Sequence, residues 1–241
     1  MAAPPQAARE LFGPMLPAAQ AYAEMLAGPG VQRGLIGPGE TDRIWERHLL
    51  NCAVVAELVS PPCLLVDLGS GAGLPGIVLA MLLPQAEVVL LEPMARRTVF
   101  LQECIAQLGL ANATVRRGRG EDLAGQVQAD VVTARAVAAL DRLAVLASGL
   151  ARPGGLVLAM KGARAARELD QAGPVLRRLG ATDVALVEAG SGLISEPTVV
   201  VRFTTAATTR RRSPAGGGRR SGGVHTAGCG RSSEFRSGQR R

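Results

Sequence analysis

Three glycines at alternate positions, Gly69, Gly71 and Gly73, stand in the run VDLGSGAGLPG at residues 66–76. Glycine lets a backbone turn sharply and approach a ligand where any side chain would clash. Two ligand-binding turns fit this spacing. Gly71-x-Gly73-x-x-Gly76 matches a dinucleotide fingerprint, and Gly69-x-Gly71-x-Gly73 matches the pattern that binds S-adenosylmethionine. Acids follow at intervals that suit either ligand. Glu92 ends the next apolar run, EVVLLE, and under both readings its carboxylate takes the two hydroxyls of a ribose. An acid directly ending an apolar strand needs a partner.

Three further features separate the readings. Asp67 precedes the turn, where methyltransferases carry an acid near the charged methionine end of their cofactor. Gly120-Glu121-Asp122 follows the third apolar run, at the place where such enzymes meet the adenine amino group. Pro153-Gly154-Gly155 is expected as a turn ahead of the fifth run, another recurring methyltransferase element. Together with Glu92 they favour a methyltransferase over a nucleotide-dependent dehydrogenase. Structural roles compete for two of the acids: Asp122 suits the cap of a helix starting at Leu123, and Asp67 suits fixing the loop through backbone N–H groups.

The elements that must position these residues alternate along the chain. Short apolar runs LLVDL, EVVLLE, ATVRR, ADVVTA, GLVLAMK, DVALVEA and TVVVRF are separated by helix-length segments over most of residues 63–203. Such near-continuous apolar strands are expected when helices cover both faces of a sheet, and the alternation predicts an α/β, doubly wound, mostly parallel seven-stranded sheet. The last two runs flank AGSGLISEP, which predicts an antiparallel hairpin at one edge. Residues 1–60 read as a helical extension packed on the core. LFGPMLPAAQAYAEMLAG is expected to form one broken helix ended by Gly28-Pro29-Gly30. TDRIWERHLLNCAVVAELV is expected to form a second, capped by Thr41 or Asp42 and stopped by Ser60-Pro61-Pro62. Residues 61–203 are then the S-adenosylmethionine-binding domain, with a helix expected from near Leu74-Pro75. Residues 204–241 are an Arg/Gly-rich tail of disordered composition.

Charge and composition narrow the partners. The net charge is +7, but residues 204–241 hold nine of the 27 basic residues and one of the 20 acidic ones, so residues 1–203 carry −1. A single Trp, a single Tyr and four Phe leave no base-stacking platform of the single-strand-binding kind. The sole lysine is Lys161. Cys52, Cys63, Cys104 and Cys229 are scattered without a C-x-x-C pair, so neither zinc nor a disulfide framework is expected. Pro62-Cys63 precedes the first strand and reads as packing. No leader and no apolar run of about 20 residues occurs, so an intracellular, cytoplasmic protein without membrane contact is expected.

VDLGSGAGLPG, EPMARRTVFL, GRGED, ARAVAALDRL and LAMKG, with IWERHLLNC upstream, together resemble the bacterial 16S ribosomal RNA guanine-N7 methyltransferase family (RsmG, formerly GidB). The resemblance runs from about residue 10 to residue 203, and GPGVQRGLIGPGE is similar to its actinobacterial branch. It implies a class I methyltransferase fold, S-adenosylmethionine as cofactor, and the small ribosomal subunit as partner. It implies cofactor contacts at Gly69, Leu74, Glu92, Gly120, Glu121 and Arg135, added to Gly71 and Gly73 of the turn. Arg135 falls at the end of the fourth strand, nearest the transferred methyl. Lys161, and His48 with Arg47, are implied as substrate contacts, a satisfied histidine on a packed helix being the other reading of His48. Arg96, Arg97, Arg116, Arg117 and Arg119 fall on loops or element ends near the cofactor region and are expected, as a group, to bind phosphates.

The implied chemistry suits what the chain lacks. Guanine N7 has an in-plane lone pair and no proton at neutral pH, so no general base is needed, and catalysis is mostly proximity and orientation. The place after the fourth strand reads TARAV, with neither an Asn/Asp-Pro-Pro-aromatic motif for exocyclic amines nor a nucleophilic Cys. Two alternatives remain at this level. A class I methyltransferase acting on another substrate would show a closed pocket without a basic surface, and a non-catalytic RNA-binding module would have no affinity for the cofactor.

Overall fold

The computed structural model describes residues 3–207, so nearly all of the expected tail lies outside the described residues. Seven strands form one sheet: β1 Leu64–Leu68, β2 Glu87–Glu92, β3 Ala113–Arg117, β4 Ala129–Arg135, β5 Ala151–Met160, β6 Thr182–Ala189 and β7 Thr198–Thr204. Their order is β3-β2-β1-β4-β5-β7-β6. The first five pair in parallel, and β7 enters antiparallel between β5 and β6. This is the doubly wound sheet that the alternating runs predict.

Side chains of a strand point alternately to the two faces, and both faces are apolar here. Leu65, Val88, Leu90, Val131 and Leu158 join a core with the amino-terminal helices and with α4 (Gly76–Leu82) and α5 (Ala95–Leu108). Val66, Leu68, Val132, Ala134 and Val157 join a second core under α6 (Leu140–Leu150) and α7 (Ala165–Leu179). The same alternation continues past the apolar residues. Thr133 and Arg135 share the face of Val131, which turns Arg135 toward the amino-terminal helices.

Those helices are α1 (Gln6–Phe12), α2 (Leu16–Met25) and α3 (Asn51–Ala53), joined by tighter and wider turns. They seat on the glycine turn itself: the buried Tyr22 hydroxyl donates to the Ala72 carbonyl at 2.8 Å. Phe12 meets Trp45 edge to face at 6.3 Å between ring centroids, a geometry that suits their quadrupoles. Glu57 reaches across to accept from the Gly190 N–H at 2.9 Å, tying this layer to the β6–β7 turn. No helix among the described residues is long and apolar enough to cross a membrane.

Three local expectations are corrected. The first helix does not end at Gly28-Pro29-Gly30; a π-helical turn, Leu26–Gly30, carries the chain on, since a widened turn accommodates a proline that has no N–H to donate. The second helical segment begins at neither Thr41 nor Asp42. Pro38, with φ pre-set for helix, opens a 3-10 stretch to Arg43, Thr41 Oγ1 donates back to the Pro38 carbonyl at 3.1 Å, and a π-helical stretch Ile44–Leu50 follows. Pro153-Gly154-Gly155 is no turn ahead of β5. It lies inside β5 as an irregularity opposite residues 129–131, where a Cβ on Gly155 would stand 2.9 Å from the Arg152 carbonyl oxygen.

Candidate functional site

Ligands bind a doubly wound sheet at the carboxyl ends of its strands, and two adjoining cavities open there. The first, about 340 Å3, is walled by the end of β1, the end of β2 and the segment after β3. Gly69, Glu92, Gly120 and Glu121 line it, four of the residues singled out for the cofactor. The second, about 880 Å3, lies beyond β4 and β5 and is lined by Arg47, Arg135, Lys161, Arg164 and Arg167 among others. Ala136, Val137 and Ala138 line both.

Glu92 organises the first cavity. Its side chain is 1 % exposed, and its carboxylate accepts from the Gly71 N–H at 3.0 Å and the Met94 N–H at 2.9 Å, with Arg97 at 3.7 Å. A carboxylate has about four lone-pair sites, so two remain for a ligand. Gly69 and Ser70 donate their N–H groups to the Leu91 carbonyl at 2.8 and 3.1 Å, which latches the turn to β2. Gly69, at φ +70, leaves no room for a side chain: a Cβ there would meet Val137 Cγ2 at 2.9 Å. Gly120 opens the one-turn 3-10 helix Glu121–Leu123, which takes the place of the longer helix expected from Leu123. Glu121 is held below the usual carboxylate range by its own backbone N–H and then by Arg142, 3.4 Å away.

The other cofactor candidates fall elsewhere. Gly71 touches the first cavity only through Glu92. Gly73, at φ +99, faces the helices, since a Cβ would stand 2.5 Å from Ile77 Cγ1 and 2.8 Å from the Tyr22 hydroxyl oxygen. Leu74 packs against the same core. Asp67 lies beneath the turn, 1 % exposed, accepting from the Gly76 N–H at 3.1 Å and facing Thr133 Oγ1 at 3.4 Å. It does not line the first cavity. Burial pushes its carboxyl up to about 6.

Arg135, expected at the cofactor, lines the second cavity instead, because the pleat of β4 turns it toward the helices. Its Nη2 donates to the Arg47 carbonyl at 3.1 Å and meets His48 Nδ1 at 2.9 Å, and its Nη1 meets Cys52 Sγ at 3.4 Å. A guanidinium only donates, so His48 accepts at Nδ1 and donates from Nε2 to Glu40, 3.1 Å away. Burial first, and Arg135 second, lower His48 to about 4, so it is neutral at pH 7. Burial pushes the Cys52 thiol up to about 11. Neither group is set up as a base or a nucleophile. Lys161, expected to touch substrate, donates to the Ala138 carbonyl at 2.9 Å and to Glu168 at 2.8 Å.

Of the expected phosphate-binding group, Arg97 and Arg119 line the first cavity, while Arg96, Arg116 and Arg117 are exposed beside it. The basic residues missed from sequence are Arg164 and Arg167, exposed at the mouth of the second cavity and without an ion pair among the described residues. No motif marks them. Cys63 is half-buried and packs against the core. Among the described residues no group of three or more His, Cys, Asp or Glu could hold a metal.

Comparisons with known proteins agree with this geometry. A family model described as rRNA small subunit methyltransferase G (GidB) matches residues 15–194. The ribosomal RNA small subunit methyltransferase G of Thermobifida fusca is 54% identical over 201 residues, 83% of this chain and 85% of that one. Its counterpart from Mycolicibacterium gilvum is 52% identical over 204 residues, 83% and 89% of the two chains. Solved structures share the fold at low identity. An S-adenosylmethionine-dependent O-methyltransferase from Thermotoga maritima gives a TM-score of 0.54 at 13% identity, covering 68% of this chain and 66% of that one. A ribosomal protein L11 methylase from Lactobacillus delbrueckii subsp. bulgaricus gives 0.52 at 13%, covering 66% and 79%. The fold is therefore that of class I methyltransferases.

Proposed function

The chain belongs to the rRNA small subunit methyltransferase G family, and we propose that it transfers a methyl group from S-adenosylmethionine to N7 of a guanine in 16S ribosomal RNA. The observation that carries this reading is the pair of adjoining cavities, one built from the glycine turn, Glu92 and Gly120, the other framed by arginines. Bound in the first, S-adenosylmethionine supplies an electrophilic methyl on its sulfonium. Glu92 has two acceptor sites left for a ribose, Glu121 offers an acceptor to the adenine amino group, and Gly69 keeps the turn close to the ligand.

The second cavity is our site for the target base. Arg135 has N–H donors beyond those given to Arg47, His48 and Cys52, and these suit the O6 acceptor on the major-groove edge of guanine, leaving the N7 lone pair free to attack the methyl. His48 is a positioning residue for Arg135 in this account. The protein has to position the base and keep water out; N7 needs no deprotonation. A-form helices hide that edge, so the base sits in an opened region of the RNA. In this layout residues 1–60 cover the site, 61–203 carry the methyltransferase domain, and 204–241 form a basic tail.

The direct experiment supplies labelled S-adenosylmethionine and small subunits from a strain lacking the gene, then maps label by N7-specific strand cleavage. Label at one 16S guanine is the expected result. Cofactor binding without RNA label would leave the methyltransferase and remove the guanine-N7 assignment. A second expectation concerns Arg164 and Arg167. Replacing both with alanine should weaken subunit binding and flatten the plot of log affinity against log salt by about 1–2, roughly one for each phosphate no longer neutralised. Affinity for S-adenosylhomocysteine should stay unchanged. An unaltered salt slope would move the RNA-binding surface to another face.

A further inference from the structure

β4 ends at Arg135, and the next residue, Ala136, has φ +54, a conformation that only glycine adopts without steric cost. From there the chain crosses between the two cavities. Val137 sits on the glycine turn so closely that a Cβ on Gly69 would lie 2.9 Å from its Cγ2. Ala136, Val137 and Ala138 face the first cavity on one side and the second on the other. A strained segment persists only where its surroundings hold it. Here the holder is Lys161, whose side chain is 8 % exposed and donates both to the Ala138 carbonyl and to Glu168.

Lys161 is the one lysine in a chain with 27 basic residues. An ammonium is a compact point charge with three donors, and a guanidinium is a planar fork that does not fit the same two acceptors. From this geometry we infer that Lys161 is a positioning residue: it fixes residues 136–139 as the wall between the two cavities and does not itself contact RNA. The inference rests on the reading above, in which those cavities hold the methyl donor and the target base. A wall between the reacting groups sets their approach, and a displacement of about 1 Å costs on the order of a hundredfold in rate.

The test uses the full-length protein and three measurements on K161R and on the double variant K161M/E168Q, which leaves no unpaired carboxylate. With deletion-strain subunits, kcat for the double variant should fall ten- to a hundredfold. KM for subunits should stay within about twofold of wild type, with the same salt dependence. K161R should not restore turnover. Amide hydrogen exchange across residues 136–139 should accelerate in the double variant, a readout that needs no substrate. A raised KM with a shallower salt slope, or full rescue by K161R, would make Lys161 a phosphate contact and overturn the inference. Unchanged exchange at 136–139 would overturn it as well. Failure of the wild-type protein to label 16S RNA would instead sink the functional reading, leaving exchange to judge the wall.

Discussion

Glu92→Ala is expected to weaken binding of S-adenosylhomocysteine by at least about a hundredfold. Each hydrogen bond to a charged group contributes about 1.5–3 kcal/mol, so two bonds to ribose hydroxyls amount to roughly 3–6 kcal/mol, or two to four orders of magnitude in Kd. The same substitution releases the Gly71 N–H that Glu92 holds at 3.0 Å, at a stability cost of about 1–3 kcal/mol for the orphaned donor. The Met94 N–H lies where the chain is exposed and finds water. Glu92→Gln separates the two effects. Its amide keeps one oxygen for one of the two N–H groups and presents NH2 to the other, so the turn is partly preserved while the charge is removed. Calorimetric titration and thermal melting of both variants give the check. If Glu92→Ala melts early yet binds S-adenosylhomocysteine like wild type, Glu92 is a latch for the turn and nothing more.

Glu92, Gly69, Gly120 and Glu121 were legible because they follow adjacent parallel strands. Once β1, β2 and β3 are recognised as neighbours, residues at their carboxyl ends must converge, whatever lies between them in the chain. The apolar runs marked those strands to within a residue or two, except at β5. There Pro153-Gly154-Gly155 has the chemistry of a turn but sits inside a strand, because Thr205 on the returning chain bonds Gly155 on both sides, at 3.0 and 2.9 Å. That pairing spans 50 residues and has no local signal. The second cavity was less legible for the same reason. Arg135 and His48 meet across 87 residues, and their meeting follows from which face of β4 the amino-terminal helices cover and from the π-helical winding of Ile44–Leu50, neither of which an apolar run on both faces reveals. The wall at residues 136–139 carries no sign in its composition, since neither glycine nor asparagine marks the left-handed backbone at Ala136.

Asp67→Asn is expected to stabilise the protein at neutral pH and to remove part of its pH dependence. Asp67 is 1 % exposed, and burial raises its carboxyl from the ordinary 3.8 to about 6, opposed first by the Ser70 hydroxyl and then by the Gly76 N–H and the Thr133 hydroxyl. The folded value lies above the unfolded one, so the native state binds the extra proton between about pH 4 and 6. Stability from this group therefore grows as pH falls through that window and is lost as pH rises. Above pH 6 the fold carries the whole cost of a buried charge, roughly 3 kcal/mol at about 1.36 kcal/mol for each pH unit between the two values. Asparagine keeps an oxygen for the Gly76 N–H and offers NH2 to the Thr133 hydroxyl, without the charge. Denaturant unfolding should find the variant about 1–3 kcal/mol more stable than wild type near pH 7.5 and equal to it near pH 4. The wild-type-minus-variant difference isolates Asp67 from carboxyls shifted the other way, such as Asp130 beside the Leu64 N–H and Arg152. Binding decides what the acid is for. Because Asp67 lies under the turn and outside the lining of the first cavity, the variant should bind S-adenosylhomocysteine within about threefold of wild type. A loss of tenfold or more would bring the carboxylate into contact with the ammonium of the ligand, and the turn would have to open around Gly76 to allow it.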